Sequence, residues 1–135
     1  QTLTNKTLPT ATITTLNSTT GVLATQNGMT GICKAWVLYN ASTQTVTSSF
    51  NVSSVTYTST GIYAVNFTTA MPDSYYAVSG ATSSPTGSNG PRFLDVGSGQ
   101  YSDYSKTTTA FNCQTVYPTN GAKYDSDYVY VAVHR

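Results

Sequence analysis

Residues 49–72, SFNVSSVTYTSTGIYAVNFTTAMP, alternate apolar and polar side chains on both sides of a glycine turn. Val55 and Tyr57 alternate on the way in. Thr58-Ser59-Thr60-Gly61 supplies the turn, and Tyr63, Val65 and Phe67 alternate on the way out. Period-two alternation around a Gly-containing turn is the local signature of a β-hairpin. The phase of the alternation shifts at Ser53-Ser54, which predicts a bulge or a turn there.

The same periodicity extends outward from this hairpin. Cys33 to Asn40 reads as a strand with Ala35, Val37 and Tyr39 on one face and Lys34, Trp36 and Leu38 on the other. Both faces are largely apolar. A sandwich strand normally shows a polar outside, so this strand is expected to have a second cover, most simply a neighbouring subunit. A loop follows at Asn40 to Thr45, then extended runs at Val46 to Val52 and Val55 to Tyr57. Beyond the hairpin, Met71-Pro72-Asp73 starts a turn. Strands are predicted at Tyr75 to Ala81, Arg92 to Val96, Thr107 to Val116 and Tyr128 to Arg135. Phe111, Cys113 and Thr115 share a face with Thr109 in the third of these; Val129, Val131 and Val133 share one in the last. Three polar loops separate them: residues 82–91, 97–106 and 117–127. About eight short strands and no helix predict an all-β, antiparallel, jelly-roll-like β-sandwich over residues 31–135.

Residues 1–30 differ. They contain no Tyr, Phe or Trp, and Leu3, Leu8, Ile13, Leu16, Val22 and Leu23 are spaced too widely to form a core alone. Their Thr-rich β-propensity and Pro9 point to an extended arm or linker that leans on something else. The polar opening at Gln1, with no signal-peptide pattern, is expected of a piece of a longer protein.

Composition agrees with one ordered domain. Charged residues are 8% and Glu is absent, a balance that would suit disorder were it not for eleven Tyr, four Phe and a Trp at strand-like spacing. The net charge of +1 comes without a basic cluster, which speaks against nucleic acid or an anionic membrane as partner. No apolar run approaches membrane-spanning length. Cys33 and Cys113 both fall within predicted strands, where a thiol behaves as a small hydrophobe; spacing alone leaves their pairing open. Asn-x-Ser/Thr triplets at Asn5, Asn17, Asn40, Asn51 and Asn66 are expected by chance in so Thr- and Ser-rich a chain.

Catalytic signals are sparse. His134 is the sole His and has no sequence neighbour to orient it as a base. Without Glu, a glycosidase pair would have to be Asp with Asp, drawn from Asp95, Asp103, Asp125 and Asp127. Asp125 and Asp127 could instead hold Ca²⁺ or stand as solvated loop carboxylates. No zinc spacing or phosphate-binding loop occurs, so no cofactor or metal is expected. The binding signal is stronger. Tyr101, Asp103, Tyr104, Tyr117, Asn120, Tyr124 and Asp125 lie in the polar loops with Lys106 and Lys123. Rigid amphipathic Tyr beside carboxylate and amide groups suits recognition of sugars; the same Tyr could equally pack at a subunit interface.

Four stretches carry a family resemblance: KAWV at Lys34 to Val37, SFNVSSVT at Ser49 to Thr56, YAVNFTTAMP at Tyr63 to Pro72, and the closing VYVAVHR at Val129 to Arg135. Together they resemble the C-terminal domain of bacteriophage tail fibres and related virion appendages. The opening LTNKTL is similar to segments that precede fibre tips. Leu38 stands where that family has a polar residue, which implies a more buried face here. The resemblance implies a homotrimeric β-sandwich on a virion tail or appendage. It would be assembled in the host bacterial cytoplasm, with unpaired cysteines. Its implied partners are copies of itself, other virion proteins through the N-terminal side, and a host-surface glycan, with no nucleic acid and no membrane insertion. The expectation is therefore a non-enzymatic host-attachment tip. A purely structural virion protein such as a head fibre or tail adaptor is the first alternative. A polysaccharide depolymerase using Asp103 and Asp125 is the second. The resemblance assigns no functional residue, because its motifs are strands of the scaffold.

Overall fold

The computed structural model describes residues 31–83, 90–96 and 106–135. Eight strands are present and no helix among these residues: β1 (Cys33–Asn40), β2 (Thr45–Phe50), β3 (Val52–Ser59), β4 (Ile62–Phe67), β5 (Ala77–Thr82), β6 (Phe93–Asp95), β7 (Ala110–Val116) and β8 (Tyr128–His134). They form two antiparallel four-stranded sheets, ordered β2-β1-β8-β5 and β3-β4-β7-β6. The expected β-sandwich is thus the fold. The arm over residues 1–30 lies outside the described residues.

The alternation read from the sequence sets the inward face. Ala35, Val37 and Tyr39 of β1, Tyr63, Val65 and Phe67 of β4, Phe111 and Cys113 of β7, and Val129, Val131 and Val133 of β8 are all buried in one core. Its aromatic rings fall into two groups. Tyr39, Tyr57 and Tyr63 meet edge-to-face at 5.6 and 5.9 Å near the β3–β4 turn. Phe67, Tyr76 and Phe111 meet at 5.6–6.1 Å near the opposite end. Such contacts contribute about 0.5–1.5 kcal/mol each beyond area burial. Cys33 and Cys113 are both free thiols. Burial pushes the Cys113 thiol up to about 12, which keeps it protonated and unreactive at neutral pH.

Of several departures from simple alternation, three cluster at one end of the sandwich. The extended run expected from Val46 through Val52 is broken at Asn51, which takes a left-handed φ of 53° and lets the chain cross between sheets. Asn tolerates that conformation. Its side chain secures the crossing: the amide donates to Lys34 O (3.1 Å) and Thr69 O (3.2 Å), and Oδ1 accepts from Thr69 N (2.7 Å). The phase shift at Ser53-Ser54 is a bulge, since β3 pairs with β4 in shifted register between Val52 and Ser54. A second register shift, between Cys33 and Ala35 opposite β8, leaves Lys34 as the extra residue. Lys34 is buried there (4% exposed), and its ammonium has no hydrogen-bond partner. Its expected place on an outward face with Trp36 and Leu38 is corrected accordingly.

The connections divide between two ends. At one lie the β1–β2 turn, the Thr60-Gly61 turn, the ends of the β5–β6 connection and the 117–127 loop. At the other, Gly31 N donates to Arg135 O, and the Asp73 carboxylate is forked by Arg135. Arg135 holds the Asp73 carboxyl below the usual carboxylate range, helped by the Tyr75 backbone N–H. Lys106 belongs to this second end: its Nζ donates to Tyr76 O at 2.8 Å and lies 5.3 Å from the centre of the Tyr76 ring.

Candidate functional site

Loop residues build a surface at the first end. The 117–127 loop opens with a tight turn. Tyr117 N donates to Ala122 O and Gly121 N to Tyr117 O, both at 2.9 Å, while Asn120 Oδ1 accepts from Ala122 N at 3.0 Å. Asn120, expected to face a ligand, therefore shapes its own turn.

Tyr124 and Asp125 then cross the β3–β4 hairpin. Tyr124 N donates to Thr115 O at 3.1 Å, and the Thr115 hydroxyl donates to Tyr124 O. Asp125 Oδ1 accepts from Gly61 N at 2.7 Å and from the Tyr63 hydroxyl at 3.4 Å; Oδ2 accepts from the Tyr57 hydroxyl at 3.1 Å. This carboxylate is a strap between hairpin and loop. Gly61 has to be glycine twice over. Its φ is +67°, and a Cβ would lie 2.8 Å from Tyr124 N and O and 2.9 Å from Thr115 O. Burial raises the Tyr63 hydroxyl pKa well above its ordinary value; the Thr115 hydrogen bond opposes this and the nearby Asp125 charge adds to it.

The strap leaves Tyr124 partly exposed, at 42%. Its ring meets Tyr117 edge-on, with centres 6.2 Å apart at 80°. The Arg92 guanidinium lies 4.8 Å from the Tyr124 ring centre and 5.2 Å from that of Tyr117. Arg92 is held in turn by its own segment: Nη1 donates to Gly90 O at 3.0 Å, and Thr82 Oγ1 donates to Arg92 O at 2.8 Å. Gly90 permits this packing, because a Cβ there would stand 2.6 Å from the Tyr117 ring.

The structure thus brings Tyr117, Asn120, Tyr124 and Asp125 together on one loop, with only the two tyrosines presenting rings. Tyr101, Asp103 and Tyr104 lie outside the described residues; Lys106, which closes their loop, packs at the opposite end of the sandwich. Sequence reading missed Arg92. Its contact with Tyr117 and Tyr124 joins residues 25 and 32 positions apart, and no local pattern signals it. Asp127, paired in sequence with Asp125, accepts instead from Ser42 Oγ at 3.1 Å. His134 pairs across the sheet with Cys33 and Ala77. Among the described residues, no group of three His, Cys or Asp side chains could hold a metal ion.

A second surface lies on the outside of the β2-β1-β8-β5 sheet. Trp36 is 38% exposed, Phe50 40% and Tyr130 44%. Trp36 pairs across the sheet with Phe50 on one side and Ala132 on the other; Leu38 pairs with Ser48 and Tyr130. Trp36, Leu38, Ser79, Ala81, Tyr130 and Ala132 line a shallow groove of about 340 Å³. None of these side chains is charged.

Comparison with protein-family models, with curated proteins and with solved structures finds no match for this chain.

Proposed function

We propose that the chain is a bacteriophage virion protein, a tail-fibre or appendage tip that works as a homotrimer and attaches to host-surface polysaccharide. The observation that carries this reading is the uncharged outer face of β1 and β8. A sandwich that exposes Trp36, Phe50 and Tyr130 side by side has an outside suited to another protein surface, and copies of the chain are the simplest cover. The likeness of the KAWV, SFNVSSVT and YAVNFTTAMP strands to fibre tips supports the same assignment. Attachment is assigned to the opposite kind of surface, the loop end with Tyr117 and Tyr124, where rigid rings stand on a strapped loop. Other virion proteins would join through the N-terminal side, and the fibre would be assembled in the bacterial cytoplasm.

Sedimentation of the full chain at micromolar concentration tests the assembly: a trimer is expected, and a monomer overturns it. Adsorption to bacterial cells tests attachment, with Tyr124→Ala expected to reduce it while the trimer persists. A purely structural virion protein is the second reading. The internal use of Asn120 and Asp125 favours it, since two expected ligand groups also hold the fold together. Adsorption that is absent in the intact trimer would decide for that reading.

A further inference from the structure

Resting on the attachment reading, we infer that Arg92, Tyr117 and Tyr124 form a subsite for an acidic sugar, a pyranose carrying a carboxylate. Three observations converge on this chemistry. The first is that Arg92 has no counter-charge among the described residues. No ion pair between Arg92 and a described carboxylate is present, although Asp95 lies three positions on and Asp125 is next to Tyr124. Asp125, next to Tyr124, points its oxygens at Gly61, Tyr57 and Tyr63. Asp95, on the strand that follows Arg92, accepts from Gln114 Nε2 at 2.6 Å, and Asp127 accepts from Ser42. Among the described residues, these acids are engaged elsewhere, and Arg92 stands beside two rings.

The second observation is preorganisation. Arg92 is fixed from three sides, by Gly90 O, by Thr82 and by the two ring faces. Its Nε is enclosed and has no acceptor. A guanidinium held against aromatic faces keeps in-plane N–H donors for a planar carboxylate at little further entropic cost. The third is the half-exposed ring of Tyr124, whose backbone is strapped to Thr115. Such a ring covers the apolar C–H face of a pyranose, while the neighbouring cation takes its acid group. A neutral sugar would use the ring and leave the cation without a counter-charge. A simple anion would use the cation alone.

The test is titration of the isotope-labelled full chain, followed by NMR, with tri-galacturonate, with maltotriose and with inorganic phosphate. Tri-galacturonate is expected to shift the Arg92, Tyr117 and Tyr124 resonances and to bind at least about tenfold more tightly than maltotriose, the fold-change for one charge-assisted contact. Arg92→Gln should abolish that preference. Arg92→Lys, which keeps the charge and serves if the glutamine variant is unstable, should retain only part of it. Tyr124→Ala should weaken both saccharides. Equal binding of the two saccharides at these tyrosines, or acid preference that survives Arg92→Gln, overturns the acidic-sugar inference and leaves sugar attachment standing. Phosphate that competes as well as tri-galacturonate overturns it in favour of a bare anion site. No shift with either saccharide overturns it too; cell adsorption by the same sample then shows whether attachment itself survives.

Discussion

The two sheets share size, antiparallel pairing and a common core, yet their outer faces differ in kind. Outside β2-β1-β8-β5 run Phe50, Trp36, Ala132 and Ser79 in one row and Ser48, Leu38, Tyr130 and Ala81 in the next. Outside β3-β4-β7 the corresponding rows are Ser54, Asn66 and Ala110, then Thr56, Ala64 and Asn112. There Asn66 donates to Ser54 Oγ at 3.0 Å, a cross-strand pairing of the sort that stabilises a solvated sheet. The β3-β4-β7 rows are thus small and mostly polar, with Phe93 exposed beyond them on β6, whereas the other sheet sets large rings side by side on its outside. The lesson is that a strand's inward face reports the fold, whereas its outward face reports what the fold meets.

The most severe break of this contrast is a charge on each face. Trp36→Asp is expected to convert the proposed trimer to monomers, weakening association by about a hundredfold or more, whereas Thr56→Asp should leave the sedimenting mass unchanged. Equal behaviour of the two variants would erase the distinction between the faces. Next in size is Gly61→Ala, which places a methyl against backbone atoms at a left-handed φ. A loss of at least about 2 kcal/mol is expected in urea unfolding. Asp125→Ala removes three hydrogen bonds from the same strap and should cost about 1–3 kcal/mol. A loss near zero would mean that the hairpin does not depend on the loop.

Lys34→Met has the opposite sign. It replaces a buried, unpartnered ammonium with an apolar chain of similar length, so a rise in stability of about 1 kcal/mol is expected by thermal unfolding. A fall would show that the ammonium has a partner supplied by assembly. The smallest effect concerns the end opposite the loops. Arg135 lowers the Asp73 pKa in the folded chain. The pair therefore contributes fully above the unfolded carboxylate value of about 4, and its contribution disappears as pH falls through the lowered folded value. Thermal unfolding between pH 7 and pH 2 should show a shallower acid limb for Asp73→Asn than for the native chain.

Much of this architecture was legible residue by residue. The limits of β1 at Cys33 and Asn40, and the inward residues of β4, β7 and β8, follow from alternation that each segment displays by itself. The candidate site was legible only in part. Tyr117 and Tyr124 were marked by residue type and loop position, because bulky amphipathic rings in a polar loop stand out locally. Asn120 and Asp125 were marked by the same criterion, yet their polar atoms serve the turn and the hairpin. A carboxylate's partner can lie anywhere along the chain, and the hydroxyls and backbone N–H that Asp125 accepts from lie more than 60 residues earlier.

By itself, then, the sequence determined the all-β class, the strands and the side chains they turn inward, since a two-residue period is a local property of the backbone. It also announced the unusual outer face of β1, through Trp36 and Leu38. Only the tertiary structure decided that β1 lies between β2 and β8, that the crossing occurs at Asn51, that a bulge buries Lys34, and that Arg92 rests on Tyr117 and Tyr124. These outcomes depend on which strands pair and in what register. That choice is settled by burial and hydrogen bonding summed over distant segments, which no single segment contains.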